Sequence, residues 1–287
     1  MLEQNHGIGA LPLSVIILTH NEEINIGRCL DSVSWCDDVV VVDSHSSDST
    51  VGIAKSKGAR VILRKFDNYA NQRNFALTKI EYKHSWAMML DADEIVPNDL
   101  VKELESALAS CKDSVTIFRV RRKDFFMGQW LKHSTNYSSL WIGRVMRLGH
   151  VRVERSINEE YHTRGETNNL NAYLIHYPFN KGLKAWIEKH NRYSSMEAEL
   201  IRDIKDESVQ WRHFLSRDPV IRRKSAKCLI YKMPFRPAFM FIGRYIISGG
   251  FLDGQAGLMF CILKTFYEYM IGCKWLELKR RTKGMTI

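Results

Sequence analysis

Two carboxylates that follow a short apolar run are the side chains of this sequence best suited to chemistry. The run covers residues 86–90, and Asp91 and Asp93 come directly after it, separated by one alanine. Because the separating residue is small, both carboxylates can turn toward one point beyond the run. Two hard oxygen ligands suit Mg²⁺ or Mn²⁺, which bind few carboxylates together with substrate phosphates. The competing interpretation is a polar turn in which an aspartate starts a helix.

Predicted strands and helices alternate around these carboxylates. An apolar run as short as 86–90 is typical of a strand buried on both faces of a parallel sheet. Strands are predicted at 13–18, 38–43, 60–63 and 86–90, and helices at 22–33, 49–58 and 69–80, with Asn21 and Asp48 capping the first two helices. This alternation predicts an α/β fold with right-handed βαβ units, in which ligands bind at the carboxyl ends of the strands. The sequence has neither a GxGxxG fingerprint nor a P-loop.

The pattern changes after the first hundred residues. Pro97 suits the first turn of a helix that runs to about residue 110, and a strand is predicted at 114–120. The section from Arg121 onward is aromatic and is predicted to be irregular, with extended runs at 140–147, 151–153 and 171–176. Such a section suits the binding of a second substrate. We therefore expect a nucleotide-binding half at 1–112 and an acceptor half at 113–180.

Composition limits the class of protein. The chain has 287 residues, 45% of them hydrophobic, which is enough for one large domain with an appendage. Its six cysteines show no CxxC pair, which favours reduced thiols and the cytosol. We expect no signal peptide, because no basic segment followed by an apolar core begins the chain. We expect no membrane crossing either, because charged residues interrupt the most apolar stretches.

The net charge of +10 predicts an anionic partner, and its distribution selects among partners. Seven Lys/Arg and one Asp lie within 217–236, and residues 279–283 are basic again, on either side of apolar segments that are predicted to be helical. This pattern predicts that the helical region 181–287 lies on an anionic membrane surface. The alternative is a helical subdomain packed on the sheet with its charges merely solvated. No nucleic acid is expected, because basic and aromatic residues are not interleaved across a sheet.

Four segments taken together resemble the family 2 inverting glycosyltransferases, which have a GT-A fold. The segments are 15–22, 40–50, 72–76 and 90–94. Features of the tail, at 236–237, 250–254 and 257–258, are similar to the branch that contains lipopolysaccharide core β-1,4-glucosyltransferases. The resemblance implies a GT-A catalytic domain at 1–180 with a mostly parallel sheet, followed by an amphipathic helical region at 181–287.

The resemblance also implies an activity and a place for it. A sugar would move from a nucleotide-sugar, with uridine diphosphate as the expected carrier, to a hydroxyl of a glycan or lipid-linked acceptor. The product would belong to cell-envelope polysaccharide or lipopolysaccharide, made in the cytoplasm at the inner face of the cytoplasmic membrane. Mn²⁺ or Mg²⁺ would serve as cofactor and neutralise charge on the departing diphosphate.

The matching positions imply residue roles on the donor side. Asp93 would coordinate the metal, and Asp91 would reach the ribose or the metal. His176 has two interpretations: it is a further metal ligand, or it is a structural histidine with its hydrogen bonds made at the domain edge. The positions that would bind the nucleotide-sugar are Thr19, Asn21, Glu22, Asp43, Gln72, Arg73, Asn74 and Asp91.

The resemblance also implies a position for the general base. A Val-His-Glu-like triplet carries the base in this branch, and Ile157-Asn158-Glu159 occupies its place here. Glu159 is favoured over Glu160, and because adjacent strand residues face opposite ways only one of them can point into the site. Among rivals, a nucleotidyltransferase usually has a glycine-rich loop after the first strand, which 19–26 lacks. A non-catalytic carbohydrate-binding module is disfavoured because all four segments keep their acids.

Overall fold

The computed structural model describes residues 11–154, 160–205 and 235–286. The strands are β1 (Leu13–Thr19), β2 (Val39–Asp43), β3 (Arg60–Leu63), β4 (Trp86–Asp91), β5 (Glu94–Ile95), β6 (Val115–Phe126), β7 (Gln129–Trp130), β8 (Ile142–Arg147), β9 (Val151–Glu154), β10 (Glu160–Thr163) and β11 (Glu166–His176). The α-helices are α1 (Glu23–Asp31), α2 (Thr50–Ser56), α3 (Tyr69–Lys79), α4 (Asn98–Ser110), α5 (Gly182–Lys205), α6 (Arg236–Phe241) and α7 (Gly254–Thr282). Short 3₁₀ segments cover Asn136–Ser138 and Gly250–Asp253, and a π-helical segment covers Ile242–Ile247.

The chain forms two compact units. The first comprises Met1–Phe125 with Asn136–Asn180, and the second comprises Phe126–Thr135 with Lys181–Ile287. The short segment 126–135 therefore groups with the C-terminal helices rather than with the residues on either side of it.

The main sheet of the first unit has the strand order β3-β2-β1-β4-β8-β6-β11-β5. The pairs from β3 to β4 are all parallel, β8 is antiparallel to both of its neighbours, and β6 pairs with β11 in parallel. This mixed, mostly parallel sheet confirms the predicted α/β class. The register aligns Thr19 with Asp43 and Leu18 with Asp91, so both acids reach the same carboxyl edge, one on each side of β1.

Side chains of β1 and β4 are buried on both faces of the sheet, as the apolar runs predict. On one face Val15, Ile17 and Leu90 pack with residues of α1 and α4. On the other face Ile16 and Met89 pack with residues of α3. Each fully buried side chain of this size contributes about 1.5–3 kcal/mol, so these layers hold the carboxyl edge rigidly in place.

The prediction of irregular structure from Arg121 was wrong. Strand β6 continues to Phe126, with buried and partly exposed side chains alternating along its second half. The alternation is hidden in the sequence because charged residues occupy both faces: Arg122 and Asp124 are buried, whereas Arg121 and Lys123 are half-buried. Strand β11 likewise starts at Glu166, five residues before its predicted start, where polar residues hide the strand pattern.

The predicted cap at Asn21 was also wrong. The N-cap position of α1 is Glu22, and Asn21 has a positive φ of 53°. The side-chain oxygen of Asn21 accepts a hydrogen bond from the backbone N–H of Ser47 at 2.8 Å. A contact between two loops therefore takes the group that would otherwise cap the helix.

The second unit is helical over 182–205 and 236–282, as expected for this region. Helices α5 and α7 pack together, and Lys274 of α7 donates to Asn191 Oδ1 and Ser194 Oγ of α5 at 2.6 and 2.8 Å. Asp253 accepts hydrogen bonds from the backbone N–H groups of Lys132, His133 and Ser134. This buried carboxylate fastens the segment 126–135 to the start of α7.

Candidate active site

Asp43 lies buried at the carboxyl end of β2 with both oxygens held by neighbouring donors. Thr19, at the end of β1, donates its hydroxyl to Asp43 Oδ2 at 2.8 Å. Ser46 donates its backbone N–H to Asp43 Oδ1 at 2.7 Å and its hydroxyl to Oδ2 at 2.5 Å. Two of the predicted donor-binding residues are thus brought together, and the carboxylate has one fixed orientation.

The loops after β1 and β2 interlock around the N-termini of α1 and α2. The backbone N–H of Glu22 donates to Thr50 Oγ1 at 2.7 Å. Asp48 accepts from the backbone N–H groups of Glu23 and Thr50, at 3.2 and 3.0 Å. The N-cap position of α2 is Ser49 rather than the predicted Asp48, and the Asp48 carboxylate accepts from the first turns of both helices. Glu22 keeps its carboxylate on the same loop, where it accepts from Asn25 Nδ2 at 2.8 Å.

The three predicted residues of α3 reach three different places. Gln72 donates from Nε2 to the hydroxyl of Ser44, the residue that follows Asp43, at 2.8 Å. Arg73 donates from Nη2 to Asp91 Oδ1 at 3.1 Å. Asn74 exchanges two hydrogen bonds with the backbone of Val153 in β9, at 2.7 and 2.9 Å. Gln72 and Arg73 therefore lie toward the carboxyl edge, whereas the Asn74 amide holds a strand in place.

Asp91 lies between two arginines at the end of β4. Arg73 approaches one of its oxygens, and Arg144 of β8 donates to the other at 2.9 Å. Burial by itself raises the pKa of Asp91, but the two guanidinium groups outweigh burial and hold that pKa well below its usual range. Asp91 is therefore an anion at every pH at which the protein would work.

Glu94 extends this network into the interior. Its side chain is completely buried, and it accepts from Arg144 at 2.5 Å, from Arg122 at 3.4 Å and from the backbone N–H of Asp91 at 3.0 Å. Sequence reasoning missed Arg144 and Arg122, because they come from β8 and β6, far along the chain from Glu94. A charged residue inside a strand that is otherwise apolar, as Arg144 is, was the available signal.

Asp93, His176 and Asp124 form a second cluster beside the first. His176 ends β11, and its Nε2 lies 3.3 Å from Asp93 Oδ2 while its Nδ1 lies 2.8 Å from Asp124 Oδ1. Burial and Arg122 lower the pKa of His176. The carboxylates of Asp93 and Asp124 outweigh both effects and raise that pKa to about 9. Burial raises the pKa of Asp124, and Arg122 and His176 bring it down to about 2. His176 is therefore protonated as the cluster stands, and its Nε2 would bind a metal ion only after giving up that proton.

The chemistry of this cluster fits a divalent cation. Asp93 supplies a carboxylate oxygen, and a histidine whose second nitrogen rests on a carboxylate is a common metal ligand. Over the described ranges, no group of three or more His, Cys, Asp and Glu side chains is arranged to enclose a metal ion. An ion here would have two protein ligands and fill its other positions with water and phosphate oxygens, as Mg²⁺ does in nucleotide sites.

The predicted general base, Glu159, lies outside the described residues. Glu160 begins β10, where its backbone pairs with Glu154 of β9. The assignment of the base to Glu159 stays a prediction.

The mostly parallel sheet with acids at its carboxyl edge suits a GT-A glycosyltransferase, and comparison with known proteins establishes the family. The profile of Glycosyl transferase family 2 matches residues 14–182, more than half of the chain. The chain belongs to this family. Membership favours a glycosyltransferase over the nucleotidyltransferase and the non-catalytic alternatives.

Similar proteins extend over nearly the whole chain. A lipopolysaccharide core biosynthesis glycosyltransferase, LpsC of Rhizobium meliloti, is 26% identical over 93% of both chains. An uncharacterized glycosyltransferase of Rickettsia typhi is 27% identical over 95% of this chain and 89% of its own. Among solved structures, Mycobacterium tuberculosis glucosyl-3-phosphoglycerate synthase with Mn²⁺, uridine diphosphate and glucosyl-3-phosphoglycerate is 25% identical with a TM-score of 0.32. That match covers 40% of this chain and 44% of the synthase.

Proposed function

We propose that this protein is a metal-dependent inverting glycosyltransferase that uses a nucleotide-sugar, with a UDP-sugar as the first candidate. The acceptor is a hydroxyl of a glycan or lipid-linked saccharide of the cell envelope. The observation that carries the proposal is the pair of clusters at one sheet edge, Asp91 with its arginines and Asp93 with His176, inside a family 2 domain. The similarity to LpsC over almost the full chain supports the lipopolysaccharide acceptor class.

The donor side of the site binds charge and orients the nucleotide. Asp43, already fixed by Thr19 and Ser46, has carboxylate oxygens suited to accept from a base imide or ribose hydroxyl. Asp93 and His176 would hold Mn²⁺ or Mg²⁺, and the ion would supply positive charge beside the leaving diphosphate. Arg73 and Arg144 keep Asp91 ionised and pointed in one direction.

The transfer itself needs a base on the acceptor side. The carboxylate of Glu159 takes the proton of the acceptor hydroxyl as its oxygen attacks the anomeric carbon. The bond between that carbon and the diphosphate oxygen breaks, and its electron pair leaves with the diphosphate. Attack from the opposite face inverts the anomeric centre.

The test is release of nucleoside diphosphate from a panel of nucleotide-sugars, with Mn²⁺, with Mg²⁺ and with a chelator. Asp93→Asn should reduce release by orders of magnitude and should weaken Mn²⁺ binding, measured separately by electron paramagnetic resonance. Asp113→Asn is the matched control, because the Asp113 side chain is fully exposed. Near-normal turnover of Asp93→Asn in saturating metal, or equal activity in chelator, would overturn the metal assignment. Inactivity with every donor would overturn the proposed reaction.

A further inference from the structure

Helix α7 carries a row of exposed apolar side chains on one face. Ile262, Phe266, Tyr269 and Leu276 are 52%, 47%, 58% and 51% exposed. Their spacing of four, three and seven residues places them on a single face of the helix. At 1.5 Å per residue, this stripe is about 21 Å long. We call it the α7 stripe.

A second apolar surface continues the α7 stripe. Pro237 and Phe241 of α6 and Ile262, Phe266 and Tyr269 of α7 line one open groove that is almost entirely apolar. Further exposed side chains lie around α6 and the turn after it: Phe235, Phe239, Ile242, Ile246, Ile247, Phe251 and Leu252. Phe235 and Ile247 are each 80% exposed. An exposed apolar groove with further exposed apolar side chains on the neighbouring segments marks a contact with another apolar phase or molecule.

Hydropathy alone leaves the type of contact open. No single helix among the described residues is long and apolar enough to span a bilayer. The pair Arg236–Ile247 and Gly250–Thr282 reaches that standard only when taken together, and it is bent by 72°. Charges also lie along the pair, including Arg236 and Glu268, which form an ion pair with both side chains largely buried. This geometry suits helices that lie along a surface better than one helix that crosses it.

Charge favours an anionic surface over a second copy of the chain. Residues 235–286 contain eight Lys/Arg and three Asp/Glu. Lys279, Arg280 and Arg281 occupy the last turn of α7, just beyond Leu276 at the end of the α7 stripe, and Lys283 follows. Another copy would bring the same excess of five positive charges in its own residues 235–286 to this face, whereas anionic lipid would neutralise these cations.

We infer that α6 and α7 dock on an anionic lipid bilayer. The α7 stripe and the groove lie at the boundary between headgroups and acyl chains, and the basic end of α7 lies on lipid phosphates. This interaction needs neither donor nor acceptor. It therefore stands or falls independently of the proposed sugar transfer.

The experiment is sedimentation of the full chain with vesicles in the absence of sugar substrates. Vesicles of phosphatidylcholine alone are compared with vesicles that also contain phosphatidylglycerol, at low salt and at about 1 M salt, where screening acts within about 3 Å. We expect binding to the anionic vesicles that weakens strongly with salt. Circular dichroism and melting curves of every variant check that it remains folded.

Two pairs of variants locate the surface. Ile262→Glu should reduce the partition coefficient about tenfold or more, because it removes apolar burial and adds repulsion. Ile24→Glu is its control, since Ile24 is also helical and is 63% exposed in the other unit. Replacing Lys279, Arg280 and Arg281 by Gln should cost about fivefold for each charge removed. Lys102→Gln, at an exposed position of α4, controls for the loss of a charge elsewhere.

Several outcomes would overturn the inference. Absence of binding to either vesicle would remove the bilayer as the partner. Equal binding to neutral vesicles at every salt concentration would refute the role of the basic end. If Ile24→Glu weakened binding as much as Ile262→Glu, the contact would lie elsewhere. A concentration-dependent dimer that Ile262→Glu dissociates, together with no vesicle binding, would assign the surface to a second copy.

Discussion

Replacement of Arg144 by Met should destabilise the protein far more than replacement of a neighbouring surface arginine. Arg144 is 5% exposed and contacts Asp91 at 2.9 Å and the completely buried Glu94 at 2.5 Å. Without Arg144, Glu94 retains Arg122 at 3.4 Å as its remaining guanidinium contact among the described residues. Removal of one partner from a buried ion pair costs about 3–5 kcal/mol, because the other charge stays buried. We expect a loss of that size in the free energy of unfolding.

Arg147→Met is the matched control on the same strand. Arg147 pairs at 3.5 Å with Asp113, whose side chain is fully exposed, and such surface pairs contribute about 0–1 kcal/mol. Its guanidinium also lies 5.1 Å from the centroid of the Trp86 ring, which adds about 0.5–1 kcal/mol. The loss for Arg144→Met should therefore exceed that for Arg147→Met by about 1 kcal/mol or more.

Urea unfolding followed by circular dichroism measures both variants, and a double variant tests the cause. Glu94→Gln in the Arg144→Met background removes the stranded charge and should recover part of the loss, which appears as coupling in a double-mutant cycle. Donor affinity should fall more in Arg144→Met than in Arg147→Met, because Asp91 loses one of the two guanidinium groups that orient its carboxylate. Equal urea midpoints for the two single variants, or no recovery in the double variant, would refute the reasoning.

Three further predictions test other parts of the chain. Gly257→Ala should cost about 1–3 kcal/mol of stability, because its Cβ would overlap the carbonyl oxygen of Gly250 and lie 2.6 Å from Asp253 Cβ. Gly272→Ala, on the same helix with open space around it, should stabilise the protein by up to about 1 kcal/mol. Equal melting temperatures of the two glycine variants would contradict both expectations. Burial, with Lys264 nearby, lowers the pKa of His190 to about 3, so only the unfolded chain gains this proton between about pH 6.5 and 3. Between pH 7 and pH 5 the free energy of unfolding of the parent, measured by urea titration, should therefore fall by on the order of 2 kcal/mol. His190→Phe keeps the stacking on Trp186 but has no proton to gain, so it should not show this loss. Glu159→Gln should slow transfer by about 10²–10⁴ with donor affinity unchanged, and Glu160→Gln should do much less; exchanged phenotypes would move the base by one residue.

The local pattern of the sequence determined the parallel half of the fold. Residues 39–42 and 86–90 are continuous apolar runs, and only a strand covered on both faces buries such a run completely. Acids placed directly after those runs must then lie at the carboxyl edge, which is why Asp43 and Asp91 were found from the sequence. The resemblance in four ordered segments supplied the family, which the profile match confirms.

The tertiary structure alone decided which charges meet at that edge. Arg144, Arg122 and Asp124 come from β8 and β6, and their position depends on an antiparallel strand inserted between β4 and β6 and on a register shift between Phe118 and Arg119. Strand order and register follow from packing over the whole sheet, so no local pattern reveals them. The same holds for Asp253, which binds backbone N–H groups about 120 residues earlier in the chain. A sequence shows which side chains are charged, whereas the long-range pairing of strands and helices decides which of them share a buried site.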